Sequence, residues 1–215
     1  MKNPGNTFFY QIAWTGTQTW FRLMHRTEAY GAHNIPAKGS FILACNHASF
    51  LDPPAFGGNL PRELHFFARK TLFKGVLGRI ITDLNSIPVD RDGDSDISAF
   101  KRVFSALKND GGLLLFPEGT RTPNGQLQTA KKGVGLIACR AQVPVIPARI
   151  FGSYAVWGRH KKIPDFRPQI KIVIGCPLSV EDFDPGKHDP QRYQTAANTI
   201  MAAITRLYIP YQHAV

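Results

Sequence analysis

The sequence predicts an α/β protein with a mainly parallel central sheet flanked by helices, preceded by an N-terminal amphipathic helical segment. Short apolar runs of strand length alternate with longer stretches of helical spacing. Such alternation packs as a parallel sheet with helices on its faces. A chain of 215 residues, 43% of them hydrophobic, is long enough to bury one core. We expect the helical segment over residues 1–30 and the α/β domain over residues 31–215.

The N-terminal segment is rich in aromatic residues. Between residues 8 and 24 it has one charge, Arg22, and six aromatic side chains: Phe8, Phe9, Tyr10, Trp14, Trp20 and Phe21. Trp and Tyr are amphipathic, so this stretch could lie at a membrane interface or pack on the domain. No stretch reaches the roughly 18 consecutive apolar residues that would predict a membrane-spanning helix. The segment also lacks the pattern of a secretory signal peptide.

Periodicity places the remaining elements. The predicted strands are residues 41–45, 64–68, 87–90, 113–116, 143–147 and 170–174, and the predicted helices are residues 71–81, 95–109, 132–140 and 190–208. Pro144 and Pro147 predict that the fifth strand is irregular or lies at an edge. Lys70, Lys74 and Arg79 make the first of these helices basic and amphipathic. It could face the core with a solvated basic side, or it could lie on a membrane surface.

The charge of the chain is concentrated in one part. There are 26 Lys and Arg against 15 Asp and Glu, a formal net charge of +11. Residues 111–180 hold ten of the basic residues and two of the acidic ones. This bias indicates an anionic partner, which could be nucleic acid, a phosphorylated small molecule or an anionic lipid surface. Cys45, Cys139 and Cys176 are too scattered for a disulfide framework, and no C-x-x-C pair indicates a zinc site.

The first candidate site follows the strand over residues 41–45, where Asn46, His47 and, five residues after the histidine, Asp52 occur. In parallel sheets ligands bind beyond the carboxyl ends of strands. If the intervening residues form a loop, Asp52 can fold back onto the imidazole of His47. The carboxylate would then fix the tautomer and leave the other ring nitrogen to accept a proton from a substrate hydroxyl. On one continuous helix the two side chains would lie on different faces.

Other interpretations of these residues stay open. Asp52 stands before Pro53, as a helix N-cap does. His47 could be a buried histidine with a structural role. Ser49 could be a nucleophile, but a hydroxyl-bearing substrate needs no acyl-enzyme, so we treat Ser49 as secondary.

The second candidate site lies within residues 111–180, again after a predicted strand. It reads Phe116-Pro117-Glu118-Gly119-Thr120-Arg121. Arg121 is the candidate anion ligand, because a guanidinium offers two parallel N–H bonds to a phosphate. Gly119 lets the backbone approach closely. Downstream, Lys131 and Lys132 open a predicted helix whose first N–H groups could converge on the same anion.

Arg91 adds a third basic position, just beyond the strand over residues 87–90. Asp92, Asp94 and Asp96 follow it, but they lack the rest of a calcium-binding loop. We interpret them as a charged turn before a helix and predict no metal site.

Four blocks therefore follow one another along the chain: Asn46-His47-x4-Asp52, Ile87-Pro-Val-Asp-Arg91, Phe116-Pro-Glu-Gly-Thr-Arg121 and Val143-Pro-Val-Ile-Pro147. In this order they resemble the motif blocks of the glycerolipid acyltransferases, and most nearly those of the bacterial 1-acyl-glycerol-3-phosphate acyltransferases. The resemblance covers roughly residues 30–180. Four ordered blocks are far more specific than any one of them.

The resemblance implies that His47 is the catalytic base and that Asp52 orients it. A fatty acyl group would pass from acyl-CoA or acyl-ACP to the free hydroxyl of 1-acyl-glycerol-3-phosphate, giving phosphatidic acid in phospholipid biosynthesis, with no cofactor. The phosphate-binding positions would be Arg121, Arg91, Lys131 and Lys132, and the loop-shaping positions Asn46, Glu118, Gly119 and Thr120. The enzyme would be monotopic or peripheral at the cytoplasmic face of the membrane, where it would meet its lysophospholipid acceptor.

Alternative functions remain. Ala130 stands where the family commonly has an aromatic residue, and related enzymes acylate other lysolipids, including amino-acid-containing ones. A basic nucleic-acid-binding module ranks lower, because no such module is recognisable and it would not use His47 and Asp52. A serine hydrolase using Ser49 would need a G-x-S-x-G elbow, which the sequence lacks. We therefore expect no nucleic acid partner.

Overall fold

The computed structural model describes residues 7–89 and 97–210. Arg91 and the predicted charged turn with Asp92, Asp94 and Asp96 lie outside the described residues. The helices are α1 (Thr7–His25), α2 (Asp52–Asn59), α3 (Gly75–Asp83), α4 (Ile97–Lys108), α5 (Lys132–Ala141), α6 (Ser153–Trp157), α7 (Val180–Phe183) and α8 (Arg192–Thr205). The strands are β1 (Glu28–Tyr30), β2 (Phe41–Cys45), β3 (Leu64–Arg69), β4 (Ser86–Val89), β5 (Gly112–Leu115), β6 (Val145–Phe151) and β7 (Lys171–Ile174).

The strands form one sheet in the order β1-β7-β6-β2-β5-β3-β4. The five strands from β6 to β4 run parallel, β7 runs antiparallel to β6, and β1 runs parallel to β7. The predicted fold class, an α/β protein with a mainly parallel sheet and an N-terminal helix, is confirmed. Because β6, β2, β5, β3 and β4 are parallel, their carboxyl ends lie at the same edge of the sheet, which we call the carboxyl edge.

The core has two halves, one on each face of the sheet. Every residue of β2 is fully buried, with Ile42 and Ala44 in one half and Phe41, Leu43 and Cys45 in the other. This alternation is what a strand covered on both faces requires. Helices α4, α5, α7 and α8 contribute to the first half, and α1, α2 and α6 contribute to the second.

For the fifth predicted strand, the alternative that it lies at an edge of the sheet is wrong. This strand is β6, which pairs with β2 on one side and β7 on the other, so it does not lie at an edge. Pro147 is tolerated there because its carbonyl faces β7 and accepts a hydrogen bond from the Gly175 amide (2.8 Å) just beyond the end of β7. The nitrogen and the carbonyl of a strand residue face the same side, so the missing N–H of Pro147 also faces β7. It lies beyond the last pair of the β6–β7 ladder, Ala148 with Ile174, and interrupts no ladder bond. The short strand β1 was not predicted, since its three residues carry no apolar run.

The two amphipathic helices divide their apolar residues between core and solvent. On α1, Tyr10 and Phe21 are buried, whereas Phe8 and Ile12 are 75% and 56% exposed. Helix α1 therefore packs on the domain with one side and leaves apolar side chains exposed on another. Helix α3 begins later than predicted and leaves Val76 75% exposed, so its apolar residues do not all face the core. No helix of the described ranges has the length and apolar character needed to cross a membrane.

Candidate active site

The predicted motifs meet at the carboxyl edge. Strands β5, β2 and β6 are neighbours, and the loop that follows each of them leaves the sheet at this edge. The loop after β2 carries His47, the loop after β5 carries Glu118 and Arg121, and α6 follows β6. Residues separated by about 70 positions in the chain are thereby brought side by side.

His47 and Asp52 form a direct pair, with Nδ1 of the ring 2.8 Å from Oδ2 of the carboxylate. The Asp52 side chain is fully buried and the His47 side chain is 12% exposed. Oδ2 also accepts hydrogen bonds from the backbone N–H groups of Ala48 (2.6 Å) and Ser49 (2.8 Å). Because Oδ2 already accepts from two backbone N–H groups, it acts as an acceptor toward the ring as well, so we assign the ring proton to Nδ1. The lone pair then lies on Nε2.

The helix-cap interpretation of Asp52 is wrong. Asp52 is the first residue of α2, and its carboxylate bonds backward to the loop instead of forward into the helix. The next two residues, Pro53 and Pro54, have no backbone N–H groups, so neither could donate a hydrogen bond to a capping carboxylate. The loop between His47 and Asp52 that the pairing requires is present.

The imidazole of His47 is held by the loop after β5. Its ring stacks on Phe116, with centroids 4.0 Å apart and planes at 15°. Its backbone N–H donates to Glu118 Oε1 (3.0 Å), and its carbonyl accepts from the Thr122 N–H (2.8 Å). Glu118 is buried, and burial raises the pKa of its carboxyl group, while the bonds from His47 and Gln128 act in the opposite direction. The two predicted motifs thus form one hydrogen-bonded unit.

Asn46 and Ser49 use their polar atoms within the fold. The Asn46 side chain donates to the Ile150 carbonyl (3.1 Å) and accepts from the Ile150 N–H (2.8 Å), which ties the end of β2 to β6. The Ser49 hydroxyl is buried, donates to the Trp157 carbonyl (3.0 Å) and accepts from the Leu51 N–H (3.1 Å). These bonds give Ser49 a structural role in the loop.

Arg121 contacts the histidine loop through Phe50. The guanidinium carbon lies 3.3 Å from the centroid of the Phe50 ring, a stacked cation–π arrangement. Phe50 is 53% exposed and its ring lies 5.2 Å from that of Trp157. Stacking uses the face of the guanidinium, whereas its N–H groups point outward in the plane, so it is compatible with binding an anion.

Lys131 lies against the same loop. Gly119 has φ +69°, a left-handed conformation that favours glycine, and a Cβ added there would lie 2.9 Å from Lys131 Cδ. The Lys131 N–H donates to the Pro117 carbonyl (2.8 Å). The alkyl chain of Lys131 therefore crosses the turn that carries Arg121. This places a second cation beside the loop.

The remaining predicted positions are less closely joined. Lys132 is the first residue of α5 and is exposed, and Thr120 is half-buried between Gly119 and Arg121. Within the described ranges neither side chain forms a hydrogen bond or ion pair to His47. Among the described residues no three His, Cys, Asp or Glu side chains are grouped as metal ligands.

Sequence reasoning missed the aromatic and hydroxyl residues around the pair: Phe50, Phe116, Thr122 and Trp157. Phe116 is the first residue of the motif that ends at Arg121, and Thr122 follows that motif directly, so this position was the available signal. Phe50 lies inside the histidine loop, but nothing local indicates that its ring would meet Arg121. Trp157 is more than a hundred residues from His47, and only the position of β6 beside β2 brings it close.

Comparison with known proteins agrees with the fold and the motifs. The family model described as Acyltransferase matches residues 26–151, more than half of the chain. The protein therefore belongs to the acyltransferase family.

Its relatives are more specific. It is 32% identical to the 1-acyl-sn-glycerol-3-phosphate acyltransferase of Bacillus subtilis over 174 residues, which cover 80% of this chain and 82% of that protein. It is 31% identical to the human 1-acyl-sn-glycerol-3-phosphate acyltransferase alpha over 163 residues, which cover 74% of this chain but 57% of the human protein. The crystal structure of the 1-acyl-sn-glycerophosphate acyltransferase from Thermotoga maritima has the same fold, with a TM-score of 0.75, 23% identity and coverage of 98% of this chain and 86% of that chain.

Proposed function

We propose that the protein transfers a fatty acyl group from an acyl thioester to the free hydroxyl of 1-acyl-glycerol-3-phosphate, giving phosphatidic acid for phospholipid biosynthesis. The observation that carries this proposal is the pair of His47 Nδ1 and Asp52 Oδ2 at 2.8 Å, beside the loop of Arg121. The names of the relatives support the choice of acceptor. Residues 31–215 would carry out the transfer, and residues 1–30 would contribute α1 as an interfacial helix.

In this mechanism His47 Nε2 accepts the proton of the acceptor hydroxyl as its oxygen attacks the thioester carbonyl. Buried Asp52 keeps the opposite nitrogen protonated and stabilises the imidazolium that forms. When the tetrahedral intermediate collapses, the carbon–sulfur bond breaks and the imidazolium returns the proton to the departing thiolate. Atoms and charge balance without a cofactor, and the thiol would be coenzyme A or acyl carrier protein.

The acceptor phosphate would bind to the basic groups of the loop after β5. Arg121 offers a bidentate fork, and Lys131 adds a second charge beside Gly119. Lys132 and Arg91 are further candidates for this role. An acceptor without a phosphate, such as a lyso amino-acid lipid, is the second candidate substrate, because other lysolipids have the same reactive hydroxyl.

A lipid acceptor requires contact with a membrane. We propose that the protein binds peripherally at the cytoplasmic face. The exposed apolar side chains of α1, among them Phe8 and Ile12, support peripheral binding to a membrane surface.

The test is thiol release from a long-chain acyl thioester, with and without lysophosphatidate. His47→Ala should lower acceptor-dependent release about 10²- to 10⁴-fold, because the proton acceptor is lost. His65→Ala, a half-buried histidine in β3, is the matched control and should retain activity. Arg121→Ala should weaken the phosphate-bearing acceptor more than a neutral lysolipid. Undiminished release by His47→Ala would refute the proposed base.

A further inference from the structure

The connection between β6 and β7 carries positive charge that the proposed transfer does not use. Residues 158–167, which we call the β6–β7 loop, contain one acidic residue, Asp165, and four basic ones: Arg159, Lys161, Lys162 and Arg167. Phe151 at the end of β6 pairs with Lys171 at the start of β7. Because these strands are antiparallel, the loop that joins them lies at the carboxyl edge, as the candidate active site does.

The loop contacts the active site on one side. Arg159 donates from its guanidinium to the Arg121 carbonyl (3.4 Å). Trp157, immediately before the loop, packs against Phe50, on which the Arg121 guanidinium is stacked. The loop is therefore a rim of the site that would receive the acceptor.

The other side of the loop contacts the end of α1. The Phe166 ring lies 6.0 Å from the rings of both Trp20 and His25. The His25 ring donates from Nδ1 to the Pro168 carbonyl (3.0 Å). The loop thus joins the C-terminal end of α1 to the active site.

Exposed apolar side chains lie among the basic residues of the β6–β7 loop and on the adjoining end of α1. Ile163 is 77% exposed and Phe166 is 47% exposed, and on the adjoining end of α1 Leu23 is 69% exposed and Met24 is 44% exposed. Arg159, Lys162 and Arg167 are exposed beside them. Exposed apolar side chains flanked by Lys and Arg match the two parts of an anionic bilayer surface, its acyl boundary and its charged headgroups.

We propose that the β6–β7 loop, together with the C-terminal end of α1, binds an anionic lipid surface and holds the mouth of the active site against it. This inference rests on the proposed function, since a lysophosphatidate acceptor and its phosphatidate product are both lipids. A bilayer fits better than an acidic protein, because the apolar side chains extend over two separate elements, the loop and α1. The lysolipid would reach Arg121 directly from the surface that these residues contact.

The experiment compares two triple variants of the full chain. Lys162→Gln, Ile163→Asn and Arg167→Gln together remove two charges and one exposed apolar side chain from the loop. The matched control, Lys101→Gln, Arg140→Gln and Tyr208→Asn, also removes two charges and one exposed apolar side chain. These residues lie on α4, on α5 and after α8, and all three helices pack on the side of the sheet opposite to α1. All six side chains are exposed, and the only ion pair among the described residues that the substitutions remove is the surface pair of Arg167 with Asp165 (3.0 Å). Because such exposed pairs contribute little to stability, both variants should unfold within a few degrees of the wild-type temperature. If the loop triple fails to fold, Ile163→Asn alone replaces it.

Partitioning onto vesicles decides the proposal. The probes are vesicles of phosphatidylcholine alone and of an equimolar mixture with phosphatidylglycerol. The loop variant should bind the mixed vesicles about tenfold or more weakly than wild type, since each cation near such a surface is worth about 1 kcal/mol. The control should bind within about twofold of wild type. Equal partitioning of the two variants would overturn the proposal.

Turnover separates this inference from the proposed function. With lysophosphatidate in mixed vesicles, the loop variant should be slower than the control. With a short-chain lysophosphatidate dissolved as monomers, both should match wild type. If the loop variant binds vesicles normally but is slow only with acyl carrier protein as donor, the loop binds that acidic protein and the lipid proposal is wrong. If wild type transfers to no lysolipid, the proposed function fails, while the vesicle measurement still tests the loop.

Discussion

His47 is positioned by four neighbours, one at the start of α2 and three in the loop after β5. Asp52 holds Nδ1, the Phe116 ring covers one face, and Glu118 and Thr122 hold the backbone on either side. As the proposed base, His47 would need little rearrangement when a hydroxyl arrives, because its tautomer and ring plane are already set.

Phe50 should contribute to acceptor binding through Arg121. Phe50→Leu keeps apolar bulk but removes the aromatic face, so KM for a phosphate-bearing acceptor should rise roughly three- to thirty-fold, equivalent to about 0.5–2 kcal/mol. The turnover number should change little, and Phe50→Tyr should restore KM. Steady-state kinetics on the three proteins measure this. A loss of kcat without a change in KM, or identical behaviour of Leu and Tyr, would contradict the role.

Glu118 predicts a pH dependence of stability. Burial raises the pKa of its carboxyl group in the folded protein, so the native state holds the proton more tightly than the unfolded chain. The stabilisation from protonated Glu118 is complete below the ordinary pKa of glutamate. It is lost as the pH rises through the raised pKa of the folded protein. As the pH rises from the ordinary glutamate pKa to the raised one, the free energy of unfolding of Glu118→Gln should therefore fall less than that of wild type.

Urea unfolding at a series of pH values measures the effect of Glu118. The exposed Glu63, replaced in the same way, is the control. The Glu63→Gln profile should run parallel to that of wild type. A parallel profile for Glu118→Gln as well would show that burial of this carboxyl group does not destabilise its charged form.

At the scale of elements, helices α5 and α8 pack more closely than most side chains would allow. A Cβ added to Gly135 of α5 would lie 1.8 Å from the Tyr193 carbonyl oxygen of α8. Gly135 therefore lets two backbones meet, and the contact places the N-terminus of α5, with Lys131 before it, beside the loop of Arg121.

Gly135→Ala should lower the free energy of unfolding by about 1–3 kcal/mol or more, because the helices must move apart. That corresponds to a fall in Tm of about 2–10 °C for a chain of this size. Gly133→Ala in the same helix is the control, since nothing lies within 4 Å of the added Cβ. It should leave Tm unchanged or raise stability by up to about 1 kcal/mol. Equal effects of the two substitutions in thermal unfolding would disprove the close packing.

At the scale of the whole molecule, charge and exposed apolar surface are distributed unevenly. Much of the net charge of +11 comes from residues 111–180, and the β6–β7 loop and the loop of Arg121 place part of it at the carboxyl edge. The same edge adjoins the exposed apolar end of α1. This asymmetry suits a protein that binds one surface in one orientation.

Binding of the wild-type protein to anionic vesicles should accordingly depend on salt. The Debye length shortens from about 10 Å at 0.1 M to about 3 Å at 1 M salt, so electrostatic attraction should weaken by an order of magnitude or more in the partition coefficient. Residual binding should persist at high salt, because the apolar contacts are not screened. Vesicle sedimentation over a series of salt concentrations measures the electrostatic and the apolar contributions. Binding that does not change with salt would exclude the electrostatic contribution.

Most of the fold could be predicted from local patterns. Buried strands such as β2 and β5 are apolar runs, and α4, α5 and α8 show helical spacing, because residues on buried faces must be apolar at the period of the element. Strand β1 and the direction of β7 could not be predicted. A three-residue strand has no period to detect, and nothing within a strand specifies the direction of its neighbour.

The sequence by itself determined the fold class, the order of the elements and the two loops that form the candidate site. His47 and Asp52 could be paired in advance because they are five residues apart in one loop. Only the tertiary structure decided that Glu118 holds the His47 backbone, that Arg121 stacks on Phe50, and that β6 lies inside the sheet. These contacts join residues about 70 or more positions apart, or depend on strand order, and strand order is set by which buried faces pack together across the whole core.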